Sequence, residues 1–233
     1  KQGKLSEASA CYEHAIALRP DAAETLVNLG NIHQLAGRFE EASACFQQAL
    51  ELRPDYAWAH VCQSNLSLLA GDFERGWIEY EWRWKTAKLA ADSIGRPRWT
   101  GQSPNGLTLL LRAEQGLGDT IQFIRYASII KSLGARVIVE CQRSLQDLLA
   151  SCPGIDAIVA QGDELPQFDF HAPLLSLPGI FKTTLTSMPA DIPYVFAKPA
   201  LIEQWRERLK PINGLRVGIH WQGRGGRGSF RDR

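Results

Sequence analysis

The chain has 233 residues, enough for one large or two modest domains. Its 45% apolar and 22% charged content is that of a globular protein, and a formal net charge of +1 argues against a dedicated nucleic-acid or membrane-surface binder. No run of about eighteen apolar residues occurs, so no membrane span is expected, and Lys1-Gln2-Gly3-Lys4 leads into a helix rather than a signal-peptide core.

The N-terminal third repeats itself. Gly3, Gly37 and Gly71 stand thirty-four residues apart, each opening the same phrase: Gly3-Lys4-Leu5-Ser6-Glu7-Ala8, Gly37-Arg38-Phe39-Glu40-Glu41-Ala42, Gly71-Asp72-Phe73-Glu74-Arg75-Gly76. Leu18-Arg19-Pro20-Asp21 recurs as Leu52-Arg53-Pro54-Asp55. This period and punctuation are those of tetratricopeptide repeats, in which each unit is a helix pair that binds partners along a shared groove. Residues 1–22 supply only the second helix of a unit, so the chain is expected to be cut from something longer. Ala23–Ala36 is predicted as a first helix, with Leu26, Leu29, Ile32 and His33 at helical spacing, and Phe39–Leu52 as a second, with Ala42, Phe46 and Ala49 on one face. Gly37 and Pro54 end them. Residues 57–90 form a third unit whose second helix carries Trp77, Tyr80, Trp82 and Trp84, expected to seal the repeats against the α/β domain. Some two and a half repeats thus occupy residues 1–91.

Residues 92–106 hold three glycines and two prolines and read as a linker. After it the period changes. Leu107–Leu111 is a first strand, Gly116-Leu117-Gly118-Asp119 a glycine loop, and Ile121, Phe123, Ile124, Ala127 and Ile130 the buried face of one helix. Val137–Val139 is a second strand, Ser144–Ala150 a helix, Ala157–Ala160 a third strand and Phe168–Ala172 a fourth. Such alternation predicts a parallel sheet covered on both faces, a Rossmann-like α/β domain over 107–214. Pro199–Leu209 is a helix with Ile202, Trp205 and Leu209 inward, and Leu215–Trp221 a last strand that begins a second half. The tail Arg224–Arg233 has no period and is expected to be disordered. The fold class is therefore α + α/β.

The five cysteines include no Cys-x-x-Cys pair. Cys11 and Cys45 fill the same repeat position and read as small buried apolar residues in a reducing cytoplasm. His14, His33 and His60 lie on repeat helices as packing or surface residues. The chemical signal lies in the strand, glycine loop and helix at 107–130. Backbone N–H groups of a glycine loop approach ligands closely, and ligands of open α/β sheets sit off the carboxyl ends of the strands. Asp119 stands there, where a carboxylate is either a catalytic group or a plain helix cap. Gly116 and Gly118 match two glycines of the dinucleotide fingerprint, with Glu140 near the ribose-binding position, but Ile121 occupies the third small position.

Further stretches carry a resemblance. Tyr80-Glu81-Trp82-Arg83-Trp84, Gln115-Gly116-Leu117-Gly118-Asp119-Thr120, Phe168-Asp169-Phe170-His171-Ala172-Pro173-Leu174-Leu175-Ser176-Leu177-Pro178 and Val217-Gly218-Ile219-His220-Trp221-Gln222-Gly223, with the phrase at Gly71–Trp77, stand in one order. Residues 71–223 resemble bacterial proteins in which tetratricopeptide repeats precede a GT-B type glycosyltransferase domain. The second half is similar to the heptosyltransferase group, and the overall plan resembles O-linked N-acetylglucosamine transferase. The resemblance implies an inverting transferase that moves a sugar from a nucleotide-diphosphate sugar to a protein or glycan acceptor. It needs no further cofactor, and its N-terminal α/β half receives the acceptor. It implies Asp119 as general base and Gly116, Gly118, His171 and Gln222 as substrate-binding positions. Inversion requires a base on the face opposite the leaving nucleotide. No Asp-x-Asp triplet occurs, so no metal is expected. The chain departs from the pattern after the Trp-x-Gly turn, where Arg224-Gly225-Gly226-Arg227 stands. With the donor half largely absent, the fragment is not expected to turn over by itself. The alternative reading is a non-catalytic scaffold that binds a protein or peptide through its repeats.

Overall fold

The computed structural model of the chain describes residues 2–86 and 94–218. It divides into two compact units, residues 1–195 and 196–233. The first opens with five helices: α1 (Gln2–Leu18), α2 (Ala23–Leu35), α3 (Phe39–Leu52), α4 (Ala57–Leu69) and α5 (Phe73–Tyr80), the last running on as a 3-10 turn over Glu81–Lys85. Each packs against the next, as helix pairs with half-apolar surfaces must. The turns after α2 and α4 close through Gly37 at φ +76° and Gly71 at φ +86°, left-handed geometry that favours glycine. Asp72 then caps α5, its carboxylate accepting from the Arg75 N–H at 3.2 Å.

The repeat core is Leu26 and Val27 of α2, Ala42, Phe46 and Ala49 of α3, and Ala59, Cys62 and Leu66 of α4. Cys45 is buried as its repeat position predicts, but Cys11 is exposed. The cause is packing: α3 lies between α2 and α4, whereas α1 packs chiefly against α2 among the described residues.

A four-stranded, wholly parallel sheet follows: β1 (Thr108–Arg112), β2 (Arg136–Cys141), β3 (Ala157–Ala160) and β4 (Phe170–Pro173), in the order β3-β2-β1-β4. The segment before β1 extends the sheet, because Trp99 N–H donates to the His171 carbonyl at 2.8 Å and His171 N–H to that of Pro97 at 3.2 Å. Trp99 is thereby buried, so this part of the predicted linker is packed structure.

One sheet face presents Leu109, Leu111, Val137, Val139 and Ala172 to α6 (Leu117–Phe123), α7 (Tyr126–Ser132) and α8 (Gln146–Leu149). The other carries Leu110 and Ile138, covered by Ile94 and by Leu165 and Phe168 of the β3–β4 connection. The expected cover on both faces is present, with loop side chains on the second. The single helix expected across 121–130 is instead two. Ile124 and Arg125 form a turn between them, and the Arg125 guanidinium donates to the Pro189 carbonyl at 2.7 Å. A short helix α9 (Leu177–Ile180) follows β4.

In the second unit, α10 (Pro199–Leu209) forms where expected, with Pro199 in its first turn. Its inward face does not: Ile202 is 45% and Trp205 51% exposed, since the described residues of that unit supply no second element to cover them. Residues 215–218 are not strand; the rest of the strand expected to Trp221, and the tail Arg224–Arg233, lie outside the described residues. Asp92 and Ser93 of the linker lie outside them too.

Candidate functional site

The strand order reverses beside β1. From β1 the chain steps outward to β2 and β3, then returns to lay β4 on the other flank of β1. The carboxyl ends of β1 and β4 therefore border the crevice where open α/β sheets take ligands. The loop leaving β1 there is Ala113-Glu114-Gln115-Gly116; Leu174-Leu175-Ser176 leaves β4.

Gly116 is the N-cap of α6 and Asp119 its third residue. Glycine has no side chain to cap with, so Asp119 reaches back, its Oδ2 accepting the Gly116 N–H at 2.9 Å. Oδ1 makes no hydrogen bond among the described residues. Thr120 Oγ1 lies 3.2 Å from the Gly116 carbonyl and 3.0 Å from Gln142 Oε1. Gln142 Nε2 donates to the Gln115 carbonyl at 2.8 Å. The loop is thus held from both sides. Gly118 is exposed, with open space where a Cβ would stand.

Of the other predicted positions, His171 is buried in mid-strand, paired with Leu110, one strand away from the glycine loop. Gln222, like His220, lies outside the described residues. Gly116, Gly118 and Asp119 therefore gather in one loop, and His171 stands apart from it. Glu140 does not offer a carboxylate to a ribose: it is buried on β2 with Arg112 Nε 2.6 Å away.

The feature that sequence reasoning missed is a buried polar cluster between the loops leaving β1 and β4. Arg83, in the 3-10 turn after α5, is only 2% exposed. Its Nη2 donates to Glu114 Oε1 and to Ser176 Oγ, both at 2.7 Å, and its Nη1 to Glu81 Oε1 at 2.7 Å. Ser176 Oγ donates in turn to Glu81 at 2.8 Å. One guanidinium from the repeats thus joins the loops leaving β1 and β4. Burial pushes the Glu114 carboxyl up to about 7, against the pull of Arg83 and with the Glu81 charge adding to the push. Beside it Gln115 Nε2 donates to the Tyr80 hydroxyl at 2.7 Å, and burial keeps the proton on that phenol by raising its pKa. The charged phrase Glu81-Trp82-Arg83 beside a glycine loop was the available signal, but nothing in it names Glu114 as the partner.

The aromatic residues of this segment divide their work. Trp77 packs edge-on against Phe123 of α6 at 5.9 Å, and its Cβ stands 3.3 Å from where a Cβ on Gly179 would lie. Trp84 takes the Arg98 guanidinium at 4.1 Å. Trp82 does not seal the junction: it stacks on His60 of α4 at 3.8 Å, with the Lys85 ammonium on its ring at 3.6 Å. Among the described residues no group of His, Cys, Asp and Glu suits a metal ion, and no helix is long and apolar enough to cross a membrane.

Residues 23–56 match the tetratricopeptide repeat family and residues 1–37 a second tetratricopeptide-repeat description. The chain is 26% identical over 168 residues to Protein FlbA of Caulobacter vibrioides, covering 63% of this chain and 28% of that protein. It thus spans little more than a quarter of that relative's length. Among solved structures, similarity extends to the first TPR of Spaghetti (RPAP3) bound to the HSP90 peptide SRMEEVD. The TM-score is 0.35 at 21% identity, covering 40% of this chain and 72% of that one. A Thermobaculum terrenum O-GlcNAc transferase mutant gives a TM-score of 0.34 at 15% identity, covering 67% and 38%. Neither likeness is close enough to carry a functional argument. The N-terminal segment is a tetratricopeptide-repeat array, a protein-interaction architecture, followed by a parallel α/β unit.

Proposed function

We propose that this chain is the acceptor-side part of an inverting glycosyltransferase, its repeats holding a protein acceptor near the α/β crevice. One observation carries the reading: Asp119, at the carboxyl end of β1 beside the strand-order reversal, has one oxygen fixed by the Gly116 N–H and the other without a hydrogen bond among the described residues. A carboxylate oriented through one oxygen keeps the second for an acceptor hydroxyl. The acceptor oxygen attacks the anomeric carbon of a nucleotide-diphosphate sugar, the bond to the diphosphate breaks, and Asp119 takes the hydroxyl proton. Gly118, with open space where a Cβ would stand, leaves room for the acceptor at the loop, and Gly116 lets the Asp119 carboxylate close on its N–H. The test is Asp119→Asn in the full-length protein. Asparagine still accepts the Gly116 N–H, so the loop keeps its cap, while kcat should fall at least about a hundredfold. Normal transfer by that variant would end the assignment.

A second reading, a protein-binding scaffold without catalysis, is favoured by Arg83, whose buried guanidinium ties the loops leaving β1 and β4 to each other. The two part on ligand binding. A transferase binds a nucleotide diphosphate in its full-length form, whereas a scaffold binds a peptide on the repeats and no nucleotide.

A further inference from the structure

We infer that Tyr80, the last residue of the repeat helix α5, is a positioning residue for the β1–α6 loop, holding it through Gln115 so that repeats and loop move as one. The inference deepens the reading of Asp119 above and rests on it for its catalytic consequence.

The argument follows a continuous path of hydrogen bonds. Tyr80 Oη accepts from Gln115 Nε2 at 2.7 Å. The Gln115 carbonyl accepts from Gln142 Nε2 at 2.8 Å, and Gln142 Oε1 takes the Thr120 hydroxyl at 3.0 Å. Thr120 follows Asp119, whose carboxylate closes the loop on Gly116 at 2.9 Å. The loop from Glu114 to Thr120 is thus supported by β2's end through Gln142, and by the repeats through Tyr80 and Arg83.

The repeat-side support is itself braced. Arg83 lies over the Tyr80 ring at 4.8 Å and donates to the Tyr80 carbonyl at 3.2 Å while holding Glu114, the residue before Gln115. Trp77 meets the Tyr80 ring edge-on at 6.1 Å. A ring fixed on both sides holds its hydroxyl at a defined point, and a defined point is what a support for a short glycine loop requires. Neither glycine in the loop has a side chain to anchor it, and Gln115 anchors the loop at two points, its side chain on Tyr80 and its carbonyl on Gln142.

Tyr80→Phe tests this, because it keeps the ring contacts and removes only the hydroxyl bond. In this chain, site-resolved amide exchange should quicken about fivefold at Gly116 and Thr120, the size expected for one lost hydrogen bond. The amides of Leu110 and Val139 should not change. Gln115→Met removes the same bond from the other side, so it should give the same local effect and the double variant no more than either alone. In the full-length protein Tyr80→Phe should lower kcat several-fold with KM for the donor unchanged. Exchange that stays at the wild-type rate, or that rises equally across the sheet, overturns the inference. If exchange responds locally but the wild-type full-length protein transfers no sugar, the support stands and the transferase reading fails. If Asp119→Asn abolishes transfer while Tyr80→Phe leaves both exchange and kcat intact, the reverse holds.

Discussion

Glu114 shows how one residue's surroundings set a measurable property. Its carboxyl ionises at about 7 rather than at 4.5 because burial outweighs the neighbouring Arg83. A carboxyl raised in the folded state binds its proton more tightly when native. Its contribution to stability is therefore complete below about 4.5, declines as pH rises, and levels off above about 7. Replacing Glu114 with glutamine removes the titrating group and leaves Glu81 to neutralise Arg83. Urea unfolding at several pH values between 5 and 7.5 should show a flatter stability profile in Glu114→Gln than in the wild type. Equal slopes would mean that Glu114 ionises normally. Asp119 and its glycines were legible in the sequence because a loop and its cap are local. Glu114 was not, because its charge partner lies 31 residues away across a change of architecture.

At the scale of elements, the thirty-four-residue period set the repeat helices almost to the residue, since each apolar position recurs with its packing partner. Gly30 shows the geometry behind it. A Cβ there would stand 2.4 to 3.0 Å from the ring of Phe46, which is fully buried and has no room to move. Alanine gains about 1 kcal/mol of helix propensity over glycine, but overpacking a closed core costs about 1–3 kcal/mol. Gly30→Ala is therefore expected to lower the urea midpoint at an unchanged m value. Adding Phe46→Leu should recover part of the loss, so the double variant is more stable than the sum of the singles predicts. Strict additivity would show that the two residues do not compete for this space. The break between α6 and α7 was not legible: Ile121, Ile124 and Ala127 keep helical spacing across it. The turn is accompanied by Arg125 reaching Pro189 and the ring of Tyr194 at 4.4 Å, partners more than sixty residues on.

At the scale of the whole first unit, sequence alternation announced a parallel sheet but not its order. The reversal that puts β4 beside β1 is a property of pairing, and the helix and sheet segments meet through side chains no period records. Residues 1–195 are compact together because α5 does double duty. It closes the repeats through α4, where Ser64 Oγ donates to the Gly76 carbonyl at 2.9 Å, and it meets the sheet's cover through Trp77. If that junction is as structural as its packing indicates, the repeats and the sheet unfold as one, and amides of α4 and β2 exchange with the same global free energy. Trp77→Ala removes the ring from Phe123 and Tyr80 while keeping the Cβ that meets Gly179, at a cost of about 3 kcal/mol. Because the loss falls on the junction and not on either core, exchange should separate. Protection in α4 should drop well below that in β2, whose core residues touch none of the removed atoms. Equal loss in both would show that the two parts remain one cooperative unit without the tryptophan. In that case the polar cluster around Arg83 would be what holds them together.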